Sequence, residues 1–531
     1  MSATRTSVAD ALSQIGGDRA KLFHTAAGET YGTVDVDGHK EHHRISSAGF
    51  QRWLSLTFWR ETHMAPPPEA MRQALNLLDA RAIHDGEQHE VHMRVAPHPG
   101  GGVALDLCDR EWRAVVVDAN GWKITNDPPV RFRRADGMLA LQDPVRGGSI
   151  EDLRPYFSAA DGADDEIFAL ALGSLLCAFR PKGPYPITAY IGEHGSLKST
   201  RQRMARQLID PSKSDLRAAP RNERDLAISA ENGWIASFDN VSRLSEAISD
   251  ALCRLATGGG FSTRELYSDD RERIFDAARP VVLNSIESVI TRGDLADRAI
   301  TIMLPRVEKY RPSDEVWAEF ERDRPRLLGA LLDAVVVAIQ NESATSIDPS
   351  IRMADAARWV AAAEPALPFE NGTWLAAYAG VREDGHRITV ESSVIGSSVL
   401  RLLATSRSWS GTATDLLAVL AEIAGEAATR RRLWPANARV LSGELRRLSP
   451  ALRALGYKVE MVRGKGRSRD RTITLEAPGD SGADLRPDRP DRPHNGAEDA
   501  RERFADAADA KDAKIRPAEG AEMPPVGSEP W

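Results

Sequence analysis

Residues 192–200 read Gly192-Glu193-His194-Gly195-Ser196-Leu197-Lys198-Ser199-Thr200, between an apolar β run at 187–191 and an amphipathic helical run at 201–208. No other stretch constrains the fold as strongly. A glycine-rich turn that joins a strand to a helix aims backbone N–H groups and the helix N-terminus at an anion, and it belongs to sheets whose strands run parallel. The pattern is that of a phosphate-binding loop. Within it Lys198 is expected to reach the β- and γ-phosphate oxygens of ATP, with the Ser199 hydroxyl on Mg²⁺. One position departs from the usual pattern: Leu197 stands where a glycine commonly precedes the lysine. Either its φ is ordinary, or it stores about 1–3 kcal/mol of strain. The plainer alternative is a strand, a turn and a helix with no ligand.

The residues that follow carry the argument further. The apolar run 234–238 ends in Asp239, 41 residues after Lys198, where a nucleotide hydrolase needs a carboxylate to organise the Mg²⁺ shell. Asn240 comes next, at a position often held by a water-polarising glutamate. Its amide hydrogen-bonds but takes no proton, so hydrolysis is slow or another carboxylate is the base. The strand-like run 280–284 ends in Asn284, placed to orient a water against the γ-phosphate. Arg298 and then Arg292, just before the run 299–304, are candidates for an arginine finger on a neighbouring subunit's nucleotide, an effect worth roughly 10³–10⁵ in rate. Asp297 is expected to orient Arg298. An acid capping a strand end and surface salt bridges are the simpler readings of these residues.

Between Asp239 and Asn284 lies Leu255-Ala256-Thr257-Gly258-Gly259-Gly260-Phe261-Ser262-Thr263-Arg264-Glu265-Leu266-Tyr267, then Ser268-Asp269-Asp270-Arg271-Glu272-Arg273-Ile274-Phe275. Glycines, an alternating run, a polar tip and a second run predict a hairpin. This stretch resembles the segment between the Mg²⁺ and sensor motifs of superfamily-three helicases, especially the helicase domains of phage and plasmid primases, and the other motifs fall in the matching order. The resemblance covers about 165–305 and implies an AAA+ fold, ATP hydrolysis in a homo-oligomeric ring, a hexamer in that family, and a central hairpin that grips DNA. That family tends to carry a basic hairpin tip. The acidic tip here leaves Arg264, Arg271 and Arg273 to contact DNA; a hairpin used only between subunits is the alternative.

At 531 residues with net charge −8, the chain looks unsuited to nucleic acid, but the charge is unevenly distributed. Residues 478–531 hold 13 acids against 8 Lys/Arg, whereas residues 430–475 hold 13 Lys/Arg against three acids. The second segment has the charge of a DNA contact. A helix at 442–455 carries Arg446, Arg447 and Arg453 off its apolar face. Strands at 457–462 and 471–475 flank a basic loop with Arg463, Lys465, Arg467 and Arg469, the layout of a winged helix.

The expected architecture is α/β: an α+β domain over 1–155 with one helix (69–82) and strands at 91–96, 103–107, 113–118 and 130–134; a P-loop AAA+ core with a parallel sheet over 156–310; a helical lid over 311–390, with helices at 313–341, 353–367 and 371–381 and Arg352 and Arg358 as candidate γ-phosphate sensors; a winged helix over 391–477, read as three helices and then two strands; and a disordered acidic tail over 478–531. Asp35 and Asp37, with His39, His42 and His43 nearby, resemble a polymerase metal pair only in spacing; the stretch reads as a turn and solvated loop with too little sheet around it. Three unpaired cysteines and no apolar run long enough to span a bilayer predict a reduced, cytoplasmic protein without membrane contact. The reading is an ATP-dependent DNA motor or remodeller serving replication of a mobile element, with the N-terminal domain or the tail open to a replication partner. The alternative is a nucleotide-controlled DNA-binding regulator with little or no hydrolysis.

Overall fold

A computed structural model describes residues 7–159, 164–264, 272–275, 278–349, 351–430, 434–463 and 471–478, and of 261–264, 272–275, 463 and 471 the backbone alone. The hairpin tip 265–271, the loop residues Lys465, Arg467 and Arg469, and the tail from 479 onward lie outside the described residues, as do the side chains of Arg264, Arg273 and Arg463.

A five-stranded parallel sheet stands at the centre, in the order Arg217–Ala218, Ala236–Asp239, Val281–Ser285, Ile187–Ile191, Ala299–Met303. Every residue of Ile187–Ile191 is buried, as a strand covered on both faces must be. Its side chains alternate between two cores. Ile187, Ala189 and Ile191 join Leu226, Leu252 and Leu283 on one face, beside the helices Glu223–Glu231 and Glu246–Thr257. Tyr190 turns to the other face, where Asp165–Ala178, Lys198–Ile209, Ser313–Asn341 and Thr373–Glu391 pack. Because the strands are parallel, their C-terminal ends line one edge, and the loops that leave this edge are where a ligand can meet several strands at once.

The second of these cores draws on residues from Val95 to Val381. It takes in an antiparallel four-stranded meander, Val95–Pro97, Val103–Asp106, Ala114–Asp118 and Gly121–Thr125. Residues 8–88 have a core of their own, built on three helices, Val8–Arg19, Ala48–Thr62 and Pro68–His84, and a sheet in the order His39–Arg44, Thr30–Val36, Ala20–His24, Glu87–Gln88. A third core, from Val390 to Leu475, joins the helices Val394–Ser406, Ala413–Ala424 and Ala438–Ala454 to a three-stranded antiparallel sheet.

Several expectations are corrected. The N-terminal region has three helices where the sequence predicts one. Val8–Arg19 is weak by propensity because it holds Gly16 and Gly17, yet a Cβ at 16 would lie 2.6 Å from Leu78 Cδ1, so the glycine allows helices to approach closely. The strand expected at 91–96 is cut short because Arg94 is left-handed, φ 57°, and 130–134 forms only the isolated bridge of Phe132 with His92. Residues 30–36 form a strand, not a turn. Asp35 caps the tight turn after it, accepting from Gly38 N at 3.3 Å, with Asp37 and Gly38 both at positive φ. His42 is buried rather than solvated: it meets Thr33 Oγ1 at 2.9 Å, and burial, helped by surrounding cations, pushes it down to about 3. His39 and His43, half-buried, both face Glu41. The helix expected to end at 381 continues to Glu391 past Gly385, which lies against Ala296. A third C-terminal strand, Ser408–Thr412, pairs with Arg471–Glu476; its polar, glycine-containing sequence hides it.

One ion cluster fastens these layers. Asp210, fully buried at the end of the Lys198–Ile209 helix, accepts from Arg94 Nε at 3.1 Å and from the backbone N–H groups of Trp234 and Ile235 at 2.9 and 3.0 Å. Arg206 Nη2 lies 3.5 Å from the same carboxylate, and Arg94 also donates to the carbonyls of Asp106 and Leu139. Removing one partner of such a cluster strands a buried charge. Asp210→Ala is therefore expected to cost about 3–5 kcal/mol in urea unfolding, with a loss under 1 kcal/mol counting against this role.

Candidate functional site

The loop after Ile187–Ile191 is shaped by two glycines. A Cβ at Gly192 would lie 2.4 Å from the Leu304 carbonyl oxygen, and Gly195 has φ 85° with Tyr310 Oη 2.0 Å from where its Cβ would be. Leu197 takes the second of the two conformations the sequence leaves open: φ is 62° and ψ 22°, left-handed, and its side chain is 40% exposed. A leucine there costs about 1–2 kcal/mol relative to a glycine. As N-cap of Lys198–Ile209 it offers no side-chain acceptor, so the first-turn N–H groups have no cap from it. Lys198 Nζ folds onto the loop, donating to Gly192 O at 2.7 Å and Glu193 O at 2.9 Å. Partial burial lowers its pKa, against the opposing pull of Asp239. Glu193 and His194 are exposed at the loop tip, Ser196 is buried with its Oγ unpartnered among the described residues, and Thr200 is half-buried in the first helical turn.

Residues separated by 40 to 85 positions converge below the loop. Asp239 Oδ1 accepts from Ser199 Oγ at 2.8 Å and from Asn284 Nδ2 at 2.6 Å. Asn284 Oδ1 accepts from the Asn240 backbone N–H at 2.8 Å, and its Nδ2 also meets Gln202 Oε1 at 2.5 Å. Gln202 Nε2 then donates to Ser237 Oγ at 2.9 Å and the Phe238 carbonyl at 3.1 Å. Asn240 is left-handed as well, φ 52°. Asparagine takes this conformation readily, whereas the leucine at 197 is strained, as backbone at a site often is.

Three side chains at this site escape a reading of the sequence. Gln202 lies on the sheet-facing side of its helix, where a polar residue in an otherwise buried pattern was the available signal. Arg201, also buried, donates to Ser196 O at 3.2 Å and to Ser158 O, bracing the loop from behind. Tyr310 Oη donates to Gly195 O at 3.2 Å, and no local pattern announces it.

Arg298 lies away from this cluster. It precedes a strand parallel to Ile187–Ile191, and its carbonyl accepts from Ile187 N at 2.8 Å, so it sits at the opposite edge of the sheet, about 16 Å along a five-residue strand. Its Nη1 donates to Asp294 O at 2.6 Å, and its Nε is buried without a partner among the described residues. The expected Asp297–Arg298 contact is absent from the described ion pairs. Asp297 meets His386 at 3.0 Å, Arg352 at 3.4 Å and Arg382 at 3.6 Å; burial opposes its ionisation, and these partners together hold its pKa below the usual carboxylate value. Arg292 pairs with Asp250 at 2.9 Å and Asp294 at 3.3 Å.

The C-terminal surface is separate. Ala438–Ala454 buries Leu441, Leu445, Leu448 and Leu452 and exposes Arg446, Arg447 and Arg453, with Arg447 reaching Glu444 at 2.6 Å. Phe261–Arg264 and Glu272–Phe275 pair as an antiparallel hairpin.

The donor set near the loop suits Mg²⁺ brought by a nucleotide: one hydroxyl and one carboxylate 2.8 Å apart, beside a lysine, leave most ligand positions to phosphate oxygens and water. Among the described residues no cluster of three or more His, Cys, Asp or Glu could hold a metal by itself. No single helix is long and apolar enough to cross a membrane among those residues.

Residues 156–385 match the family model of the actinomycete integrative conjugative element replication protein, and residues 395–490 match that of the AICE RepA C-terminal domain. Over these two regions the chain is similar to replication proteins of a mobile element. No curated protein matches it. Two apo structures of the NrS-1 C-terminal region align at 12% and 10% identity, covering 89% and 88% of this chain and 99% and 98% of theirs, with TM-scores of 0.39 and 0.36; likenesses at that level carry no weight here.

Leu197→Gly is expected to raise stability by about 1 kcal/mol in urea unfolding, the strain relief being partly offset by the added freedom of the unfolded glycine. A net loss would mean that contacts of the leucine side chain outweigh its strain.

Proposed function

We propose, taking the match to replication proteins of integrative conjugative elements as premise, that this chain is a mobile-element replication protein. On this reading its centre is an AAA+-type ATPase that drives movement on, or remodelling of, DNA. The observation that carries the ATPase reading is the convergence of Ser199, Asp239 and Asn284 beneath a glycine-rich loop that holds Lys198. That arrangement places a cation, a hydroxyl, a carboxylate and a neutral amide around one point at the ends of three parallel strands.

Each group then has a task. Lys198, released from Gly192 O and Glu193 O, holds the β- and γ-phosphate oxygens, joined by backbone N–H groups of 195–200. Ser199 and Asp239 would hold Mg²⁺, which supplies charge neutralisation on the phosphates. Asn284 has both Nδ2 hydrogens taken by Gln202 and Asp239, so it would orient the attacking water through the Oδ1 lone pair that Asn240 N leaves open. Asn240 takes no proton, so the base is a carboxylate other than residue 240. Arg298, at the far edge of its own sheet, has no route to its own loop and serves a neighbouring copy's nucleotide in a ring. The C-terminal helix and three-stranded sheet would act as a winged helix, with Arg446 and Arg447 at a groove and the basic wing on phosphates.

A regulator that binds nucleotide and DNA with little turnover is the second reading, favoured by Asn240 in place of an acid and by the strain at Leu197.

Steady-state ATP hydrolysis at low salt, with single- and double-stranded DNA, separates the two. The motor requires DNA-stimulated turnover that Lys198→Ala abolishes and that Arg298→Ala lowers by roughly 10³-fold or more. Mixing the two variants is expected to restore part of the activity, because each supplies the group that the other lacks. Nucleotide binding with hydrolysis at background on every DNA would favour the regulator. If about five wing cations meet phosphates, log K for DNA is expected to fall against log salt with a slope of about −4 to −5, and a slope near zero would remove the wing from the interface.

A further inference from the structure

We infer that Tyr310 is the platform on which the base of the bound nucleotide stacks, so that the site selects a nucleoside triphosphate over a bare polyphosphate. This rests on reading the 192–200 loop as a phosphate site and adds the part of the ligand that the loop does not contact.

The segment between Ala299–Met303 and Ser313–Asn341 is fastened once to the end of Ile187–Ile191 and twice to the glycine-rich loop, both times at Gly195 O. Leu304 N donates to Ile191 O at 2.7 Å, Val307 N to Gly195 O at 3.3 Å, and Tyr310 Oη to the same Gly195 O at 3.2 Å. The hydroxyl therefore fixes the phenol against the loop, while the ring itself stays open: Tyr310 is 57% exposed, the largest exposure among the large hydrophobic side chains around the loop. Two more apolar side chains are exposed on the loop and at the strand end next to it. Met303, paired in register with Ile191 just before Gly192, is 36% exposed, and Leu197 is 40% exposed on the loop.

A tyrosine with its polar end tied down and its face free is suited to a flat, largely apolar partner, since it has only two side-chain torsions to restrain. The loop supplies N–H groups and a lysine for anionic oxygens, and only Leu197 as an apolar surface for a base. Tyr310, held on the loop at Gly195 O, supplies the aromatic face, with Leu197 on the same loop and Met303 opposite Ile191 at the adjoining strand end. Aromatic stacking on a base is sequence-tolerant, so this platform favours possession of a base over its identity.

The test is calorimetric titration of the full chain with ATP and, separately, with inorganic tripolyphosphate, each with Mg²⁺, for wild type, Tyr310→Ala and Tyr310→Phe. Circular dichroism checks that the variants are folded. Tyr310→Ala is expected to weaken ATP binding by roughly 5- to 100-fold while tripolyphosphate affinity changes by less than about twofold. Tyr310→Phe, which keeps the ring and loses the hydroxyl, is expected to bind ATP within about threefold of wild type. Equal weakening of both ligands by Tyr310→Ala would make the tyrosine a brace for the loop and overturn the inference. Unchanged ATP affinity in that variant would overturn it too, leaving the phosphate site in place. A wild-type chain that binds neither ligand would overturn the phosphate-site reading, and the base platform with it.

Discussion

The buried carboxylate of Asp210 is the point on which the layers depend. It accepts from Arg94 of the region before the parallel sheet, from Arg206 of the helix that follows the glycine-rich loop, and from the backbone of Trp234 and Ile235 at the entry to the strand that ends in Asp239. A charge so far from water is tolerated only when its partners surround it. The requirement orients three elements at once. With the C-terminal end of Lys198–Ile209 fixed against the start of Ala236–Asp239, the other ends of the two elements bring Ser199 to Asp239.

The geometry at that upper end rests on hydrogen bonds rather than on charge pairing. Asn284 spans Asp239, Gln202 and the backbone of Asn240. Because an amide cannot take up a proton in the physiological range, this spacer keeps its form whatever the charge of its neighbours. Left-handed backbone occurs at Leu197 in the loop and at Asn240 beside Asn284. Leu197 stands where the chain enters a helix and Asn240 just after a strand, and the Asn240 N–H is held by Asn284 Oδ1.

The far edge of the sheet is organised around Asp297. It draws Arg352, Arg382 and His386 from the helical region onto the segment that precedes Ala299–Met303. Arg298 is thus left to its backbone contact with Asp294, and its candidacy as a finger depends on a residue that helical contacts hold in place indirectly. On the proposed reading, a shift of the Thr373–Glu391 helix would be felt at Arg298 through Asp297, although these two residues do not pair.

Local pattern makes part of this molecule legible. The strand–loop–helix at 187–209, the acid and the amide at the ends of two apolar runs, the long helix from 313 and the basic helix after 438 all follow from periodicity and from residues that must end a strand or turn. What the pattern misses has one cause: each missing feature is decided by a distant partner. The helices before residue 63 are poor by propensity and exist because their faces pack together. His42 reads as a polar loop residue and is buried because its strand pairs with Thr30–Val36 and its ring packs on Phe23 and Trp112. Asp297, adjacent to Arg298 in sequence, faces away toward residues 55 to 89 positions later. The sequence by itself determined which chemical groups end each central strand, since strand periodicity and turn residues are local properties. Only the tertiary structure decided that Gln202, Arg201 and Tyr310 join them and that Arg298 stands at the opposite edge, because parallel strand order and buried charge are settled by contacts between segments that no local pattern encodes.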